Sequence, residues 1–371
     1  MYISSLRLSN FRNYASLSFE PSEGLNVLVG RNAQGKSAVL EAIYLLATSK
    51  SHRTSRDMDM IKLGEDYFRV TADLVRSERN DVTVEIDLGR TQKKIVKINT
   101  VKHPKIGDIV GQLNAVIFSG SDIEMVRGEP SKRRRFLNLE ISQISPQYVY
   151  ALGRYKRVLD QRNNLLKEIK YDRASISGLD MWDTQLAMYG ASVTARRAEY
   201  INMLATSAGN MYSMLTDNQE QLEIAYKPNL DISINDTEQD IARIHGETMA
   251  AKREIDMSRA TTHSGPHRDD FAININGMAA REFASQGQQR TAAIALKLAE
   301  IGLIYEAAKE NPVVLLDDVM AELDEMRRQR ILDFTSSCQT LVTTTHLSDV
   351  SRQALDRAAV FEVEAATVTR K

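Results

Sequence analysis

The first hundred residues alternate apolar and polar side chains with a period of two, which is typical of β-strands with one face in water. Val82, Val84, Ile86 and Leu88 show this alternation most clearly. Residues 25–29 form a short continuous apolar run before a glycine, which predicts a buried strand. The pattern as a whole indicates an antiparallel meander. The alternating segments that we predict as its strands are 3–8, 68–75, 82–88 and 94–99.

Helical spacing replaces the alternation from Pro130 onwards, where proline suits the first turn of a helix. Asn235 or Asp236 is predicted to cap the last helix of this region, and residues 175–178 are predicted to form a hairpin turn. Apolar heptads do not persist over four repeats, so a long coiled coil is not expected. The predicted helices begin at 130 and cover 146–170, 180–215 and 236–260.

After His263 strands and helices alternate again, with a turn at Gly277-Met278. We therefore predict an α/β fold in which both ends of the chain build one α/β lobe and a helical lobe is inserted between them. The predicted strands are 270–276, 313–316, 341–344 and 360–368, and the predicted helices are 286–308 and 325–336. The predicted boundaries are 1–118 and 261–371 for the α/β lobe and 119–260 for the helical lobe.

The composition fits a globular protein of about two domains, at roughly 150 residues per domain for a chain of 371 residues. A single cysteine, Cys338, excludes a disulfide framework and a cysteine metal cluster within one chain. No apolar run reaches the roughly 18 residues of a membrane-spanning helix, and the N-terminus lacks a charged leader before an apolar run. We therefore expect a cytoplasmic protein with no membrane partner.

Charge is unevenly distributed along the chain, although the formal net charge is only −1. Residues 127–173 carry 12 Lys or Arg against 5 Asp or Glu, a local net charge of +7. A basic region of this kind favours contacts with DNA phosphates, and the lack of an aromatic stacking array favours a duplex backbone. The alternatives are a helix face that is merely solvated, or arginines that pair with acids elsewhere in the chain. The DNA-binding candidates are Arg127, Lys132, Arg133, Arg134, Arg135, Arg154, Lys156 and Arg157, with Arg162 nearby.

A phosphate-binding loop is the strongest chemical signal in the sequence. Residues 30–37 read GRNAQGKS and match G-x-x-x-x-G-K-[ST] between a predicted strand and a predicted helix. Glycines let backbone N–H groups close around phosphates at a helix N-terminus. Lys36 is predicted to reach the β- and γ-phosphates, and Ser37 to bind Mg²⁺. The nucleotide-binding candidates are Gly30, Arg31, Asn32, Ala33, Gln34, Gly35, Lys36 and Ser37.

A buried strand that ends in two acids is the expected partner of such a loop. The run VVLLDD ends at Asp317, predicted to hold Mg²⁺ through water, and Asp318, predicted to orient or deprotonate the attacking water. Alone, this motif is equally compatible with a turn or a helix cap. Arg12 is a further candidate for the nucleotide site, with an ordinary surface arginine as the alternative.

Three further motifs resemble those of ATP-binding-cassette ATPases, in the same order along the chain. Ser285, Gly287 and Gln288 belong to a signature-like motif, residues 321–324 resemble a D-loop, and His346 resembles the switch histidine. A Ser/Gly turn at a helix N-terminus offers N–H groups to an anion, and a histidine at a strand end can bond a γ-phosphate. No glutamine stands at the strand end near 118, so the Q-loop residue is unassigned.

Ser37 of the phosphate-binding loop and Ser285 of the signature-like motif are 248 residues apart. This separation is too long for a transporter motor subunit, and the segment between them reads as a meander and a compact helical lobe instead of a long coiled coil. Over nearly its whole length the chain resembles the bacterial RecF family. One departure is that residues 119–122 read SGSD, where the family usually has SPED. The segments that carry the resemblance are 8–14 (LSNFRNY), 128–130, 133–137 (RRRFL), 161–163 (QRN) and 265–270 (GPHRDD).

The resemblance implies an ATPase lobe with an inserted helical lobe, ATP and Mg²⁺ as cofactors, and an ATP-dependent homodimer. It also implies weak, DNA-stimulated ATP hydrolysis, with Asp318, His346 and Lys36 as catalytic residues and Ser37 and Asp317 as metal ligands. DNA with gaps or junctions, and RecR and RecO acting in the loading of RecA, are the implied partners. The alternatives are another SMC/Rad50-like or ABC-type ATPase, a transporter motor subunit and a phosphotransferase, and the signature-like motif counts against the last.

His263 and His267 are candidate metal ligands because carboxylates follow them. Gly265-Pro266 between them breaks any helix, so the imidazoles are not expected to share a face. A loop that orders the signature region is the favoured interpretation.

Overall fold

The computed structural model describes residues 1–77, 79–233 and 235–371. These residues form two compact lobes. The sheet lobe comprises Met1–Ile123, Met214–Asp217 and Arg290–Lys371, and the helical lobe comprises Glu124–Ser213 and Asn218–Gln289. None of the helices in the described residues has the length and apolar character needed to cross a lipid bilayer.

Strands and helices are numbered here in chain order. The strands are β1 (Tyr2–Phe11), β2 (Tyr14–Phe19), β3 (Leu25–Val29), β4 (Tyr67–Val75), β5 (Val82–Gly89), β6 (Ile95–Ile98), β7 (Val101–His103), β8 (Ala115–Ser119), β9 (Leu222–Lys227), β10 (Asp270–Ile275), β11 (Met278–Ala279), β12 (Val313–Asp317), β13 (Thr340–Thr344), β14 (Ala359–Glu364) and β15 (Thr367–Arg370). The helices are α1 (Lys36–Thr48), α2 (Glu124–Arg127), α3 (Pro130–Ile144), α4 (Pro146–Lys170), α5 (Leu179–Leu215), α6 (Glu238–Ala251), α7 (Arg253–Arg259), α8 (Ala280–Phe283), α9 (Gln286–Ala308), α10 (Glu325–Phe334) and α11 (Arg352–Leu355).

The predicted meander is an antiparallel sheet of the sheet lobe, in the order β2-β1-β4-β5-β6-β7. In β5 the buried positions alternate strictly with half-buried ones, so one face packs into the core while the other meets solvent. Phe11 and Phe68 meet edge to face in this core, with ring centroids 5.3 Å apart. The same core contains the apolar side of α1, which follows β3. The helix of the phosphate-binding loop is thereby fixed against the meander.

The second sheet of this lobe has the order β15-β14-β3-β13-β12-β8. The strands from β14 to β8 are parallel, and β15 is antiparallel to β14. Strands buried on both faces need continuous apolar sequence, which Val313 to Leu316 of β12 provides. Because β3, β13 and β12 are neighbours, their carboxyl ends lie side by side. The residues that follow these three strands are therefore brought together.

The helical lobe packs long helices with a small antiparallel sheet of order β11-β10-β9. Phe136 of α3 meets Phe271 of β10, with ring centroids 6.2 Å apart. Arg162 of α4 is fully buried and donates to Asp183 at 2.6 Å and to Asp256 at 2.7 Å. A buried cation of this kind requires such partners, because its desolvation is otherwise uncompensated.

Several elements differ from the sequence prediction. The helix predicted at 236–260 is split into α6 and α7, and its cap is Thr237, which forms a capping box with Asp240. Asp236 instead accepts a hydrogen bond from the Ser233 N–H. Residues 175–178 contain a short 3₁₀-helix rather than a hairpin turn. The segment predicted as one strand at 360–368 is the hairpin β14–β15, and β2 and β9 were not predicted.

The lobe boundaries also differ from those predicted at 118/119 and 260/261. The structure divides the chain after Ile123 and after Gln289. β10 pairs with β9 along its whole length, and Asp270 at its start receives two hydrogen bonds from Arg133 of α3. These contacts assign residues 261–289 to the helical lobe, and they join segments too far apart in sequence to be read from local patterns.

Two buried histidines predict that acid destabilises the helical lobe. Burial lowers the pKa of His245 to about 4 and that of His267 to about 4. In the unfolded chain each histidine takes up its proton near pH 6.5, whereas in the folded lobe it does so only near pH 4. The contribution of each neutral histidine to the free energy of unfolding is therefore complete above pH 6.5 and is lost as the pH drops towards 4. We expect each histidine to contribute about 3 kcal/mol over this range. Urea unfolding followed between pH 7.5 and 4.5 measures the effect, and a His267→Gln variant should show a shallower slope. A free energy of unfolding that stays constant between pH 6.5 and 5 would contradict the assignment.

Candidate functional site

The phosphate-binding loop connects β3 to α1 and has no room for larger residues at its glycines. Gly35 has a φ of 115°, and a Cβ there would lie 2.8 Å from the Tyr14 hydroxyl. A Cβ on Gly30 would overlap the Val363 carbonyl oxygen of β14. The Asn13 amide donates to the Gln34 carbonyl at 3.2 Å, so the turn between β1 and β2 also supports the loop. The loop conformation is therefore fixed from two sides.

Lys36 is placed as a phosphate ligand requires. Its side chain is only 4% exposed. The ammonium group donates to the carbonyls of Gly30 at 2.8 Å and Arg31 at 3.1 Å, which holds it over its own loop. A cation beside a helix N-terminus and a ring of loop backbone is a suitable site for an anionic phosphate.

Asp317 ends β12 directly beside β13. The Thr343 hydroxyl donates to its Oδ1 at 3.0 Å, and His52 Nε2 lies 3.6 Å from its Oδ2. Burial acts to raise the pKa of Asp317, but the His52 imidazole and the Ser37 hydroxyl outweigh burial and lower it. Asp317 is therefore an anion adjacent to Ser37, and carboxylate and hydroxyl oxygens are ligands that Mg²⁺ prefers.

Asp318 occupies an unusual backbone conformation, with a φ of 54°. Its N–H donates to the Thr343 hydroxyl at 2.9 Å, and its carboxylate faces the cleft. Partial desolvation by the cleft raises the pKa of Asp318, while the positive charge of Lys36 opposes the shift. Such strained positions concentrate where side-chain direction matters for function.

Lys36, Ser37 and Asp318 line one cleft of about 1100 Å³ within the sheet lobe, a volume sufficient for a nucleotide-sized ligand. Arg12, the further candidate for the nucleotide site, lines the same cleft as the phosphate-binding loop and is not an ordinary surface arginine. The side chains around the cleft are mainly polar or cationic, which suits a phosphorylated ligand. The residues that line the cleft include Asn32, Ala33, Gly35, Lys36, Ser37, Arg53, Thr54, Lys62 and Asp318.

The signature-like motif forms a regular helix start. The Ser285 hydroxyl accepts from the Gln288 N–H at 3.2 Å, and the Gln288 side chain accepts from the Ser285 N–H at 2.8 Å. These reciprocal bonds cap α9, whose first four residues, Gln286 to Gln289, belong to the helical lobe. His346 lies exposed just after β13 in the sheet lobe. The roles of Ser285, Gly287, Gln288 and His346 towards a nucleotide stay predictions.

Two of the predicted DNA-binding residues are engaged inside the helical lobe. Arg133 is buried, donating to Asp270 and to the Gly128 carbonyl, so its assignment to the DNA surface is wrong. Arg134 is half-buried and donates to the Asp269 carbonyl at 2.8 Å, and burial lowers its pKa. For Arg133, pairing with an aspartate distant in sequence was one alternative to a DNA contact, and the structure shows this pairing. The exposed candidates are Arg127, Lys132, Arg154, Lys156 and Arg157.

Two functional neighbours were missed by sequence reasoning. His52 lies beside Asp317, and its ring is nearly perpendicular to that of Tyr44, at 5.6 Å between centroids. Glu41 is fully buried behind the cleft. No sequence motif includes His52. Glu41 could have been noticed, because it is a glutamate at an apolar position of the helix that follows the phosphate-binding loop.

The two histidines that are candidate metal ligands bond to protein groups instead. His263 Nδ1 lies 2.8 Å from an Asp256 carboxylate oxygen, and His267 Nδ1 lies 2.6 Å from the Tyr155 hydroxyl. In the described part of the chain, no group of three or more His, Cys, Asp or Glu side chains is arranged to hold a metal ion.

Comparison with known proteins gives one consistent result. The family model described as "RecF/RecN/SMC N terminal domain" matches residues 2–369. The DNA replication and repair protein RecF of Bacillus cytotoxicus is 39% identical over 99% of this chain and 98% of its own length. Two solved structures of the recombination mediator protein RecF, described as RecF-ATPrS and RecF-ATP in the RecFOR pathway, are each 36% identical to this chain and cover all of it. Their TM-scores are 0.92 and 0.91, and the alignments cover 98% and 99% of their chains.

The likeness extends over the full chain and includes both lobes. This chain belongs to the RecF family of DNA replication and repair proteins.

Proposed function

We propose that this chain is an ATP-dependent DNA-binding protein of recombinational repair and replication-fork maintenance, in which slow ATP hydrolysis acts as a conformational gate. The observation that carries the proposal is that Lys36, Ser37 and Asp318 share one cleft with a loop whose glycines admit no side chain. A relative described with ATP supports a nucleoside triphosphate as the ligand.

Mg²⁺ is the expected metal of this site. Ser37 would hold it directly and Asp317 through water, and the adjacency of the two side chains fits this arrangement. When bound, Mg²⁺ neutralises charge on the β- and γ-phosphates. Lys36 binds the phosphates, Asp318 orients the attacking water, and His346 bonds the γ-phosphate and senses its loss.

We infer that ATP also drives the formation of a homodimer. Ser285, Gly287 and Gln288 lie at the N-terminal cap of α9, where the helix dipole favours an anion, so they suit the γ-phosphate held by the loop of a second chain. Each of the two sites would then be composite, and ADP, which lacks that phosphate, should leave the protein monomeric.

Replacing Ser285 by Arg should abolish the ATP-dependent dimer while the monomer still binds ATP. The substitution places a bulky cation where the phosphate must dock. Analytical ultracentrifugation with ATP and with ADP measures the dimer, and Ser177→Arg, exposed in the same lobe, is the matched control. Lys36→Ala should instead lose ATP itself. A dimer of normal strength in Ser285→Arg would show that the signature-like motif has another role.

The DNA surface is proposed to lie on the exposed basic side chains of the helical lobe. Arg154 stacks over the Tyr150 ring at 5.3 Å, and Lys132 and Arg157 extend into solvent. Cations of this kind bind phosphates and release counterions. Gapped or junction DNA is the proposed substrate, with RecO and RecR as partners in loading RecA.

Replacing Lys132 and Arg157 by Ala should weaken DNA binding equally for all sequences. The slope of log affinity against log salt should become shallower by roughly one for each phosphate that the variant no longer neutralises. Fluorescence anisotropy of gapped duplex at several salt concentrations measures this, and Lys309→Ala in the sheet lobe is the control. An unchanged salt slope would place the DNA surface elsewhere.

A further inference from the structure

A buried carboxylate lies behind the cleft and is not part of the phosphate-binding motif. Glu41 is in α1, and none of its surface is exposed. A carboxylate in such a position is costly unless it is paired and hydrogen-bonded. Its partners all come from segments that border the cleft.

The first partner is Arg12, in the turn between β1 and β2. Its Nη2 and Nε donate to the two Glu41 oxygens at 2.6 and 2.8 Å, a bidentate pair, and its Nη1 donates to the Asp59 carbonyl at 2.7 Å. Among the described residues, these bonds use three of the five guanidinium N–H groups and leave two for a ligand. The guanidinium is thereby held in one orientation at the cleft wall.

The backbone of Arg12 is held as firmly as its side chain. Its φ is 55°, a conformation that costs energy for a residue with a Cβ. The Arg12 N–H donates to the Met60 carbonyl at 2.8 Å, and the Lys62 N–H donates to the Asn10 carbonyl at 2.8 Å. Since a strained backbone persists only when its surroundings require it, the direction of Arg12 is built into the fold.

The second set of partners is in the segment 51–54 that follows α1. The Ser51 hydroxyl donates to Glu41 and accepts from the N–H groups of Arg53 at 2.9 Å and Thr54 at 3.1 Å. The Arg53 guanidinium lies 3.9 Å from the Glu41 carboxylate. Glu41 therefore organises a second cationic side chain that lines the same cleft.

We propose that Glu41 is a positioning residue for the nucleotide, which fixes Arg12 and the segment 51–54 so that two guanidinium groups face the phosphates beside Lys36. The proposal rests on the proposed function of the cleft. Arginines fixed before binding lose less side-chain freedom when the ligand arrives, so the buried carboxylate increases affinity without touching the nucleotide.

The test is a double-mutant cycle on ATP affinity with Glu41→Gln, Arg12→Gln and the double variant, measured by calorimetry. We expect each single variant to bind ATP about tenfold more weakly, and the double variant to lose clearly less than the roughly hundredfold of two independent effects, because Glu41 acts largely through Arg12. Glu65→Gln is the matched control, since Glu65 accepts a bond from Asn10, two residues before Arg12 at the end of β1. Its ATP affinity should equal that of the wild type.

A purely structural role predicts the opposite pattern. Glu41→Gln would then weaken ATP binding by the same factor with or without Arg12, and that additivity would overturn the proposal. So would an unchanged affinity in Arg12→Gln, a result that does not depend on Glu41→Gln being folded. If the wild-type protein binds no ATP, the proposed function fails. If it binds ATP but the two variants are not coupled, only the role of Glu41 fails.

Discussion

Replacement of Asp318 by Asn should lower ATP hydrolysis about 10²–10⁴-fold, the effect of removing a positioned general base, and should leave ATP affinity nearly unchanged. Asparagine is among the few residues that readily adopt a positive φ, so the conformation at 54° is kept. The backbone N–H still donates to Thr343, and the side chain has the same size. Only the charge and basicity of the group are lost.

Single-turnover hydrolysis with and without DNA measures this effect, and Asp160→Asn, exposed on α4, is the control. Slow hydrolysis should also trap the ATP-bound dimer, so size-exclusion chromatography of Asp318→Asn with ATP gives an independent readout. If the variant hydrolyses ATP at the wild-type rate, another group activates the water.

Replacement of Arg162 by Ala should destabilise the helical lobe by about 3–5 kcal/mol, as expected when one partner of a buried ion pair is removed. Arg162 is fully buried, and its removal takes a guanidinium partner from the carboxylates of both Asp183 and Asp256. The Thr262 hydroxyl also loses the Arg162 Nη1 donor, at 2.9 Å. Three segments of the lobe are thus released together.

Urea unfolding, followed by circular dichroism, measures this change. Arg157→Ala is the control on the same helix, and because Arg157 is exposed, its effect should stay within about 0.5 kcal/mol. Equal stabilities of the two variants would mean that the buried pairing contributes no more than a surface charge.

The parts of the fold that the sequence predicted are those with local signals. The alternation in β5, the apolar run of β12 and the glycines of residues 30–37 each carry their own pattern, and each was placed correctly to within a few residues. The phosphate-binding loop is predictable because its chemistry requires adjacent residues. Asp317 and Asp318 could be predicted as part of the same site, because acidic residues are expected at the end of a strand next to such a loop.

The parts that could not be predicted depend on partners distant in sequence. Nothing around Arg133 distinguishes it from Lys132, yet one is buried against Asp270 and the other is exposed. Strand β9 has a pattern too short to recognise without β10, and without it the lobe boundary was placed at 260. His52 belongs to the site only because α1 returns the chain to the end of β12.

The position of β3 in its sheet determines when the site can form during protein synthesis. Both neighbours of β3 come from the far end of the chain, since Thr340 of β13 bonds to Asn26 across 314 residues. A ribosome adds about 5–20 residues per second, so β3 waits roughly 15–60 s for its first partner. The strand pairs of the meander need only residues up to 103 and can form in this interval, while β3 stays apolar and unpaired. The nucleotide site of the nascent chain therefore stays open until β13 has been synthesised, and this exposed strand is where chaperones would have to act.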